Sequence, residues 1–178
     1  WPKAKWIVYE AVNDDHLRQG QVLAFGGDAA KLAPVYDFRQ AKVVLSIDCD
    51  FLAARDLPPC YVRHFADARR IAGRDGDAKL NAESMVRLYH LGSTPTPTSA
   101  KADHSLATKP SQIPFLVAGL AKSLGVPIQT LATSATGDTN AQAERAWRKP
   151  VADELNSAGP TAWTVVGREQ PHTVPTQG

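Results

Sequence analysis

Short apolar runs alternate with amphipathic segments along this chain. Each run is nearly continuous and rich in Val, Ile, Leu and aromatic residues, a pattern typical of strands buried on both faces of a parallel sheet. The pattern predicts four strands, at residues 6–9, 42–47, 86–91 and 162–166.

The segments between these runs have helical periodicity. Asn13 is a suitable N-cap for a first helix that carries Leu17 and Leu23, and Gly26-Gly27 is expected to end it. That glycine pair follows a helical pattern and no Lys-Ser or Lys-Thr comes after it, so we interpret it as a helix end and not as a phosphate-binding loop.

Three further helices are predicted later in the chain. One covers residues 61–71, and another begins at a Ser111 cap and stops at Gly125. The last covers residues 141–157, where Pro150 is expected to break or restart the helix.

The resulting order, β-α-β-α-β-α-α-β, predicts the α/β class. We expect a doubly wound, mostly parallel sheet of at least four strands with helices on both faces, a Rossmann-like three-layer sandwich. Residues 93–110 and 130–140 are predicted to be loops. We expect residues 1–170 to form a single domain, excised from a longer chain, and residues 171–178 to be a tail or linker.

Composition narrows the class of function. The chain has 178 residues, a formal net charge of +2 and 43% hydrophobic residues, and its Lys and Arg are scattered, which argues against a nucleic-acid partner. No apolar run approaches the roughly 20 residues that cross a bilayer. Cys49 and Cys60 lack the spacing of a metal or iron–sulfur motif, so we expect two separate thiols, although an oxidising compartment would allow a disulfide.

Candidate chemistry lies where the predicted strands end, since open parallel sheets bind ligands beyond the carboxyl ends of their strands. Those places are residues 10–14, 48–52, 92–98 and 167–170. The sharpest feature is Asp48-Cys49-Asp50. Two hypotheses fit it: a magnesium-dependent phosphatase nucleophile, for which Leu52 replaces an expected Thr, or carboxylates that accept hydrogen bonds from nearby backbone amides.

A histidine beside a carboxylate, His104 after Asp103, is a second candidate because such a pair supports general base catalysis. No motif places a nucleophile with it, and we expect a hydrogen-bonded structural role. The other four histidines show no ligand spacing.

Residues 88–124 resemble a segment of the molybdopterin oxidoreductase superfamily, in which a strand leads to Asp-Pro-Arg-x-Thr, then Ala-Asp, then Pro-Gly-Thr-Asp before a helix. The Thr-rich loop, Ala102-Asp103, Pro110 and the apolar helix follow in that order. Residues 41–52 resemble the strand that ends in Gly-x-Asn-Pro, and residues 165–171 resemble the end of the same domain.

The chain is most similar to a divergent branch of that superfamily, the large iron–sulfur subunits of alternative complex III and related Tat-exported respiratory proteins. The similarity covers most of the chain. It rests on these segments: Tyr36-Asp37-Phe38, Asp48-Cys49-Asp50-Phe51-Leu52, Phe65-Ala66, Arg69-Arg70 and Ala102-Asp103-His104.

The loops that hold the guanine dinucleotide tails in cofactor-bearing members carry different residues here. Asp48 and Asp50 replace the Gly and Asn of Gly-x-Asn-Pro, and two carboxylates would repel a diphosphate. The other degenerate positions are Gly92, Ser93 and Thr94, which replace Asp-Pro-Arg, and Ser111, Gln112 and Ile113, which replace Gly-Thr-Asp.

The resemblance therefore implies a structural, molybdopterin-oxidoreductase-like domain of a respiratory electron-transfer iron–sulfur subunit. We expect no catalytic residue, metal or cofactor within this segment, and iron–sulfur clusters elsewhere in the parent chain. The expected partners are other domains of that chain and membrane-complex subunits, at the periplasmic face of the bacterial cytoplasmic membrane, without direct membrane insertion. Two alternatives stay open: a domain of an active molybdopterin guanine dinucleotide oxidoreductase, and a magnesium-dependent phosphatase that uses Asp48 and Asp50.

Overall fold

The computed structural model describes residues 3–7, 9, 15–27, 32–33, 35–53, 57–70, 85–126 and 141–167. The chain forms two compact units, Trp1–Val35 and Tyr36–Gly178. The sheet and both hydrophobic clusters belong to the second unit. The assignment of residues 1–170 to one domain stays a prediction, and residues 171–178 lie outside the described residues.

The first unit contains one described helix, α1 (Asp15–Phe25). It ends as the sequence predicts, because Gly26 has a φ of 95°, which favours glycine, and its N–H bonds to the Val22 carbonyl at 2.8 Å. The predicted Asn13 cap lies outside the described residues.

The strand predicted at residues 6–9 is wrong. Trp6, Ile7 and Tyr9 belong to no strand and are 92%, 83% and 86% exposed. A strand needs a neighbour for its backbone hydrogen bonds, and an apolar composition alone does not supply one. In the described part of the chain no segment pairs with these residues.

In its described part the second unit has four parallel strands: β1 (Val43–Ile47), β2 (Arg87–Gly92), β3 (His104–Ala107) and β4 (Ala162–Val166). They lie in the order β3-β2-β1-β4. In the register, Ile47 at the end of β1 lies opposite Leu91 of β2 and Val166 of β4. The predicted α/β, Rossmann-like parallel sheet is confirmed.

Among the described residues four helices accompany the sheet, and their bounds are α2 (Pro59–Ala68), α3 (Pro97–Lys101), α4 (Ile113–Ser123) and α5 (Ala141–Ala158). On one face, Tyr61 and Phe65 of α2 pack over β1 and β2. On the other face, α4 and α5 pack over the strands. Helices on both faces make the sheet the middle layer of three.

The segment predicted as a loop over residues 93–110 contains α3 and β3, so that prediction is wrong. A capping box between Thr96 and Ser99 starts α3. The strand β3 is short, largely exposed and polar, and it is held through its backbone: the Asp103 and Thr108 amides bond to carbonyls of β2. Hydrophobic patterning does not detect an edge strand of this kind.

Two details of the predicted helices are also corrected. Ser111 is not a cap, because it lies inside a 3₁₀ turn, Pro110–Gln112, and α4 begins after Gln112 without a side-chain cap. Pro150 does not interrupt α5. Pro150 and Ala146 are both exposed, so water can satisfy the Ala146 carbonyl that Pro150 leaves without a donor. Gly125, with a φ of 77°, follows the end of α4 as predicted.

Candidate functional site

The loops after the strands meet at one edge of the sheet, the edge formed by the carboxyl ends. The chain runs outward from β1 through β2 to β3 and then returns to the other side of β1 as β4. The topological switch point therefore lies between β1 and β4, where Asp48 and Gly167 follow the strands. Open α/β sheets bind ligands at such a point.

Asp48 connects the ends of β1 and β2. Its φ is 46°, in the left-handed region that Asp and Asn tolerate better than most residues, and its N–H donates to the Leu91 carbonyl at 2.7 Å. Its Oδ1 accepts hydrogen bonds from the Ser93 N–H at 3.2 Å and from the Ser93 hydroxyl at 3.3 Å. The carboxylate thus fixes the first residue after β2.

The Asp50 carboxylate fixes the start of α3 in the same way. Its Oδ1 accepts from the Thr98 N–H at 3.1 Å and from the Thr98 hydroxyl at 2.8 Å. The Thr98 oxygen accepts in turn from the Leu52 N–H at 3.1 Å, and Thr98 is fully buried. Both aspartates therefore accept backbone amides, which confirms the second hypothesis drawn from Asp48-Cys49-Asp50.

The switch point itself is closed by backbone. The Gly167 N–H donates to the Ile47 carbonyl at 2.9 Å. A Cβ added to Gly167 would collide with the Asp48 carbonyl oxygen and lie 3.2 Å from the Cys49 Cα. Gly167, the first residue after β4, therefore contacts the loop after β1 directly, where a crevice would otherwise open.

A polar band crosses the α2 face of the sheet just before these loops. We use this name for Ser46, His90 and Ser105, which lie side by side in the register of β1, β2 and β3. The Ser46 hydroxyl donates to the Cys49 carbonyl at 2.7 Å, and His90 Nδ1 lies 3.2 Å from Ser105 Oγ. His90 is 2% exposed. Burial lowers the pKa of His90, and the charges of Asp48 and Asp50 oppose that shift.

The other residues predicted for the site are dispersed. Gly92 lies beneath the His90 ring and the Asp48 carboxylate, whereas Thr94 and Ser111 are exposed. Gln112 Oε1 accepts from the Thr108 hydroxyl at 3.0 Å. Ile113 is 1% exposed and belongs to the core beneath α4, so its apolar side chain serves packing. Residues 10–14 and 168–170 lie outside the described residues.

The Asp103 carboxylate pairs with an arginine. Arg69 donates to both of its oxygens, at 2.7 and 2.9 Å, and the Leu88 N–H donates to it at 2.8 Å. The hydrogen bond from Arg69 is the largest cause that lowers the pKa of Asp103. His104 stacks on Tyr89, with ring centroids 5.4 Å apart. Asp103 and Arg69 thus tie β2, β3 and the end of α2 together.

The segments on which the family resemblance rests contribute aromatic residues that form one cluster on the α2 face of the sheet. Phe38 stacks on Phe51 at 5.1 Å and Phe51 meets Phe65 edge-on at 5.3 Å. Tyr36 stacks on Phe38 at 5.8 Å. These segments therefore contribute packing around Cys49, which is buried. In the described part of the chain Cys49 and Cys60 are not joined by a disulfide.

Sequence reasoning missed His90 and Ser105, and it included Thr98 only as the last residue of the candidate range 92–98, without a role. Thr98 fell in a segment taken for a loop, although the Thr-Pro-Thr-Ser spacing of a capping box marks the helix that carries it. His90 and Ser105 are 15 residues apart and become neighbours only through strand pairing.

The fold and this edge define a Rossmann-like α/β domain whose strand-end loops are connected by two carboxylates. Within the described ranges, no three His, Cys, Asp or Glu side chains come together as metal ligands do. None of the described helices has both the length and the apolar character to span a bilayer. No protein-family model matches the chain, and no curated protein matches it.

Proposed function

We propose that this chain is a structural, molybdopterin-oxidoreductase-like domain of a larger respiratory electron-transfer protein, without its own cofactor. The relationship to the molybdopterin oxidoreductase family is supported by the order, along the chain, of the segments that resemble it. The proposal that this domain binds no cofactor is supported by the geometry of the strand-end loops.

The proposal that no cofactor binds rests on one observation: the switch point between β1 and β4 is closed by backbone and lined by two carboxylates. The Gly167 backbone packs on the Asp48 carbonyl, so a diphosphate has no close approach to the backbone there. The Asp48 and Asp50 carboxylates accept the Ser93 and Thr98 amides, donors of the type that bind phosphate oxygens in other proteins. The residues present do not fit a guanine dinucleotide, because two carboxylates would face its diphosphate.

Metal analysis of the full-length protein tests the proposal. We expect iron in stoichiometric amount, from clusters elsewhere in the parent chain, and molybdenum far below one atom per chain. About one molybdenum per chain would overturn the proposal. The reading frame supplies a second test, since Cys-x₂-Cys-x₂-Cys-x₃-Cys runs downstream would agree with an electron-transfer subunit.

Titration calorimetry with GDP tests the loops directly on residues 1–178. We expect no saturable binding at millimolar GDP. The variant Asp48→Asn with Asp50→Asn removes both charges but keeps oxygen acceptors for the Ser93 and Thr98 amides, so it shows whether charge or backbone contact excludes the ligand. Saturable binding to the unsubstituted chain would contradict the proposal.

A phosphatase assay separates this proposal from the magnesium-dependent alternative. A nucleophilic Asp48 must direct its carboxylate at a substrate, whereas its Oδ1 accepts from Ser93 at 3.2 Å. We expect no magnesium-dependent turnover of p-nitrophenyl phosphate. Turnover that Asp48→Asn abolishes would favour the phosphatase instead.

A further inference from the structure

The polar band contains a pairing of side chains that the proposed function does not use. Ser105 Oγ lies 3.2 Å from His90 Nδ1, within the range of a nucleophile and its general base. Ser105 is exposed on β3, which is the edge strand of the described sheet, while His90 is buried on β2. A reagent can therefore reach the serine, whereas the histidine ring is largely buried.

A carboxylate lies close to the histidine ring, at Gly92. The position of a Cβ on Gly92 is 2.9 Å from His90 Nε2 and 3.2 Å from Asp48 Oδ1, so ring and carboxylate both lie over this glycine. Gly92 is required here, since any side chain would collide with the ring. The negative charge of Asp48 near the ring favours the imidazolium that forms when Nδ1 accepts a proton from Ser105.

We propose that Ser105 is a nucleophile, His90 its general base and Asp48 the group that stabilises the imidazolium. The expected substrates are small esters and other acyl or phosphonyl compounds with a good leaving group. This inference goes beyond the proposed structural function and does not depend on it, because it involves no cofactor.

The reaction with a fluorophosphonate illustrates the step. Ser105 Oγ attacks phosphorus, and its proton passes to His90 Nδ1. The P–O bond forms as the P–F bond breaks, and fluoride leaves. The imidazolium is stabilised by Asp48, and it loses its proton to water afterwards. Enzymes with a serine, a histidine and a carboxylate in the active site use them as nucleophile, general base and stabilising group in the same way.

Labelling with a fluorophosphonate, followed by peptide mass spectrometry on the intact chain, tests the inference. We expect an adduct on Ser105 that forms at least about 100-fold faster than on an unactivated serine. Ser123 is the matched control, because it is exposed and its hydroxyl donates to the Gly119 carbonyl at 3.0 Å. Ser105→Ala should abolish the fast labelling, and Ser123→Ala should leave it unchanged.

The pH profile separates a catalytic histidine from a structural one. The labelling rate should fall as the pH drops and His90 becomes protonated. In Asp48→Asn the charge that favours the imidazolium is gone, so labelling should slow and the midpoint of the profile should move to lower pH. Asn also tolerates the left-handed backbone at position 48. Labelling of Ser105 no faster than of Ser123, or a rate independent of pH, would overturn the inference.

Discussion

The two faces of the sheet differ in what they place at equivalent positions along the strands. On the face covered by α4 and α5, β1 contributes Leu45 and Ile47 and β2 contributes Leu91, all buried and apolar. On the α2 face, the neighbouring positions are Ser46 and His90, equally buried but polar. The fold can tolerate polar groups at the carboxyl end of one face because each finds a hydrogen-bond partner there.

This difference shows where the molecule carries stability and where it can carry chemistry. The α4/α5 face is aliphatic, and burial of its side chains drives folding. The α2 face combines an aromatic cluster with polar groups that are held by hydrogen bonds, Ser46 to the Cys49 carbonyl and His90 to Ser105. Substitutions on the two faces should therefore differ in size and in pH dependence.

The largest effect is expected on the aliphatic face. Leu45→Ala should lower the free energy of unfolding by about 2–5 kcal/mol, because Leu45 is 2% exposed and its loss leaves a cavity. Chemical denaturation followed by circular dichroism measures this. Val166→Ala, at a 45% exposed position of β4, is the matched control and should cost much less. Equal losses would mean that this face is not the main source of stability.

Adding a methyl group at the switch point should also destabilise the domain. Gly167→Ala places a methyl group against the Asp48 carbonyl, and overpacking of this kind costs about 1–3 kcal/mol. Gly20→Ala in α1 meets no described residue within 4 Å and should be neutral or stabilising. Thermal unfolding of both variants distinguishes a clash from a general effect of losing glycine. A neutral Gly167→Ala variant would show that the loops after β1 and β4 separate easily.

The pairing of Asp103 with Arg69 should contribute less than the core, and its contribution should depend on pH. Asp103→Ala removes acceptors from Arg69 and from the Leu88 amide, at a cost of about 1–3 kcal/mol. The pKa of Asp103 is lowered in the folded state from a usual value of 3.8. The pairing therefore contributes its full stabilisation of the folded state above pH 3.8. That contribution is lost as the pH falls through the pKa of Asp103 in the folded state.

Denaturation of Asp103→Ala and the unsubstituted chain at pH 7 and at pH 2–3 measures this, and the difference should shrink at the acid end. Asp67 pairs with Arg63 and Arg70 at the surface and gives a matched control, since Asp67→Ala should cost about 0–1 kcal/mol. A difference that does not change with pH would show that the Asp103 carboxylate acts through packing alone.

The smallest effect on stability is expected from protonation of His90, in the polar band on the α2 face. Burial lowers its pKa below the usual 6.5, so the unfolded chain binds a proton more readily than the folded one. Stability from the neutral ring is therefore complete above pH 6.5 and declines as the pH falls towards the folded pKa. Titration of the His90 Cε1 proton by NMR reports the direction. A midpoint above 6.5 would mean that Asp48 and Asp50 outweigh burial.

Much of the sheet could be predicted from the sequence. The segments that became β1, β2 and β4 have nearly continuous apolar patterns, which are typical of strands buried on both faces of a parallel sheet; β1 and most of β2 are buried in this way, whereas β4 is only partly buried. The pattern failed at β3, whose exposed polar residues are held by backbone hydrogen bonds. It failed in the opposite sense at residues 6–9, where an apolar run does not form a strand.

The candidate site could be predicted only in part. Asp48 and Asp50 were identified because residues directly after a buried strand face the ligand-binding edge of this architecture. Their acceptance of the Ser93 and Thr98 amides depends on contacts over 45 and 48 residues of sequence. No local spacing encodes such contacts.

The sequence by itself therefore determined the α/β class, three strands of the parallel sheet, the end of α1 at Gly26 and the position of the two aspartates. Each follows from periodicity or from local backbone chemistry, which act over a few residues. The tertiary structure alone decided the edge strand β3, the closed switch point at Gly167 and the pairing of His90 with Ser105. Those features depend on which strands become neighbours and in what register, and hydrogen bonds between segments distant in sequence determine both.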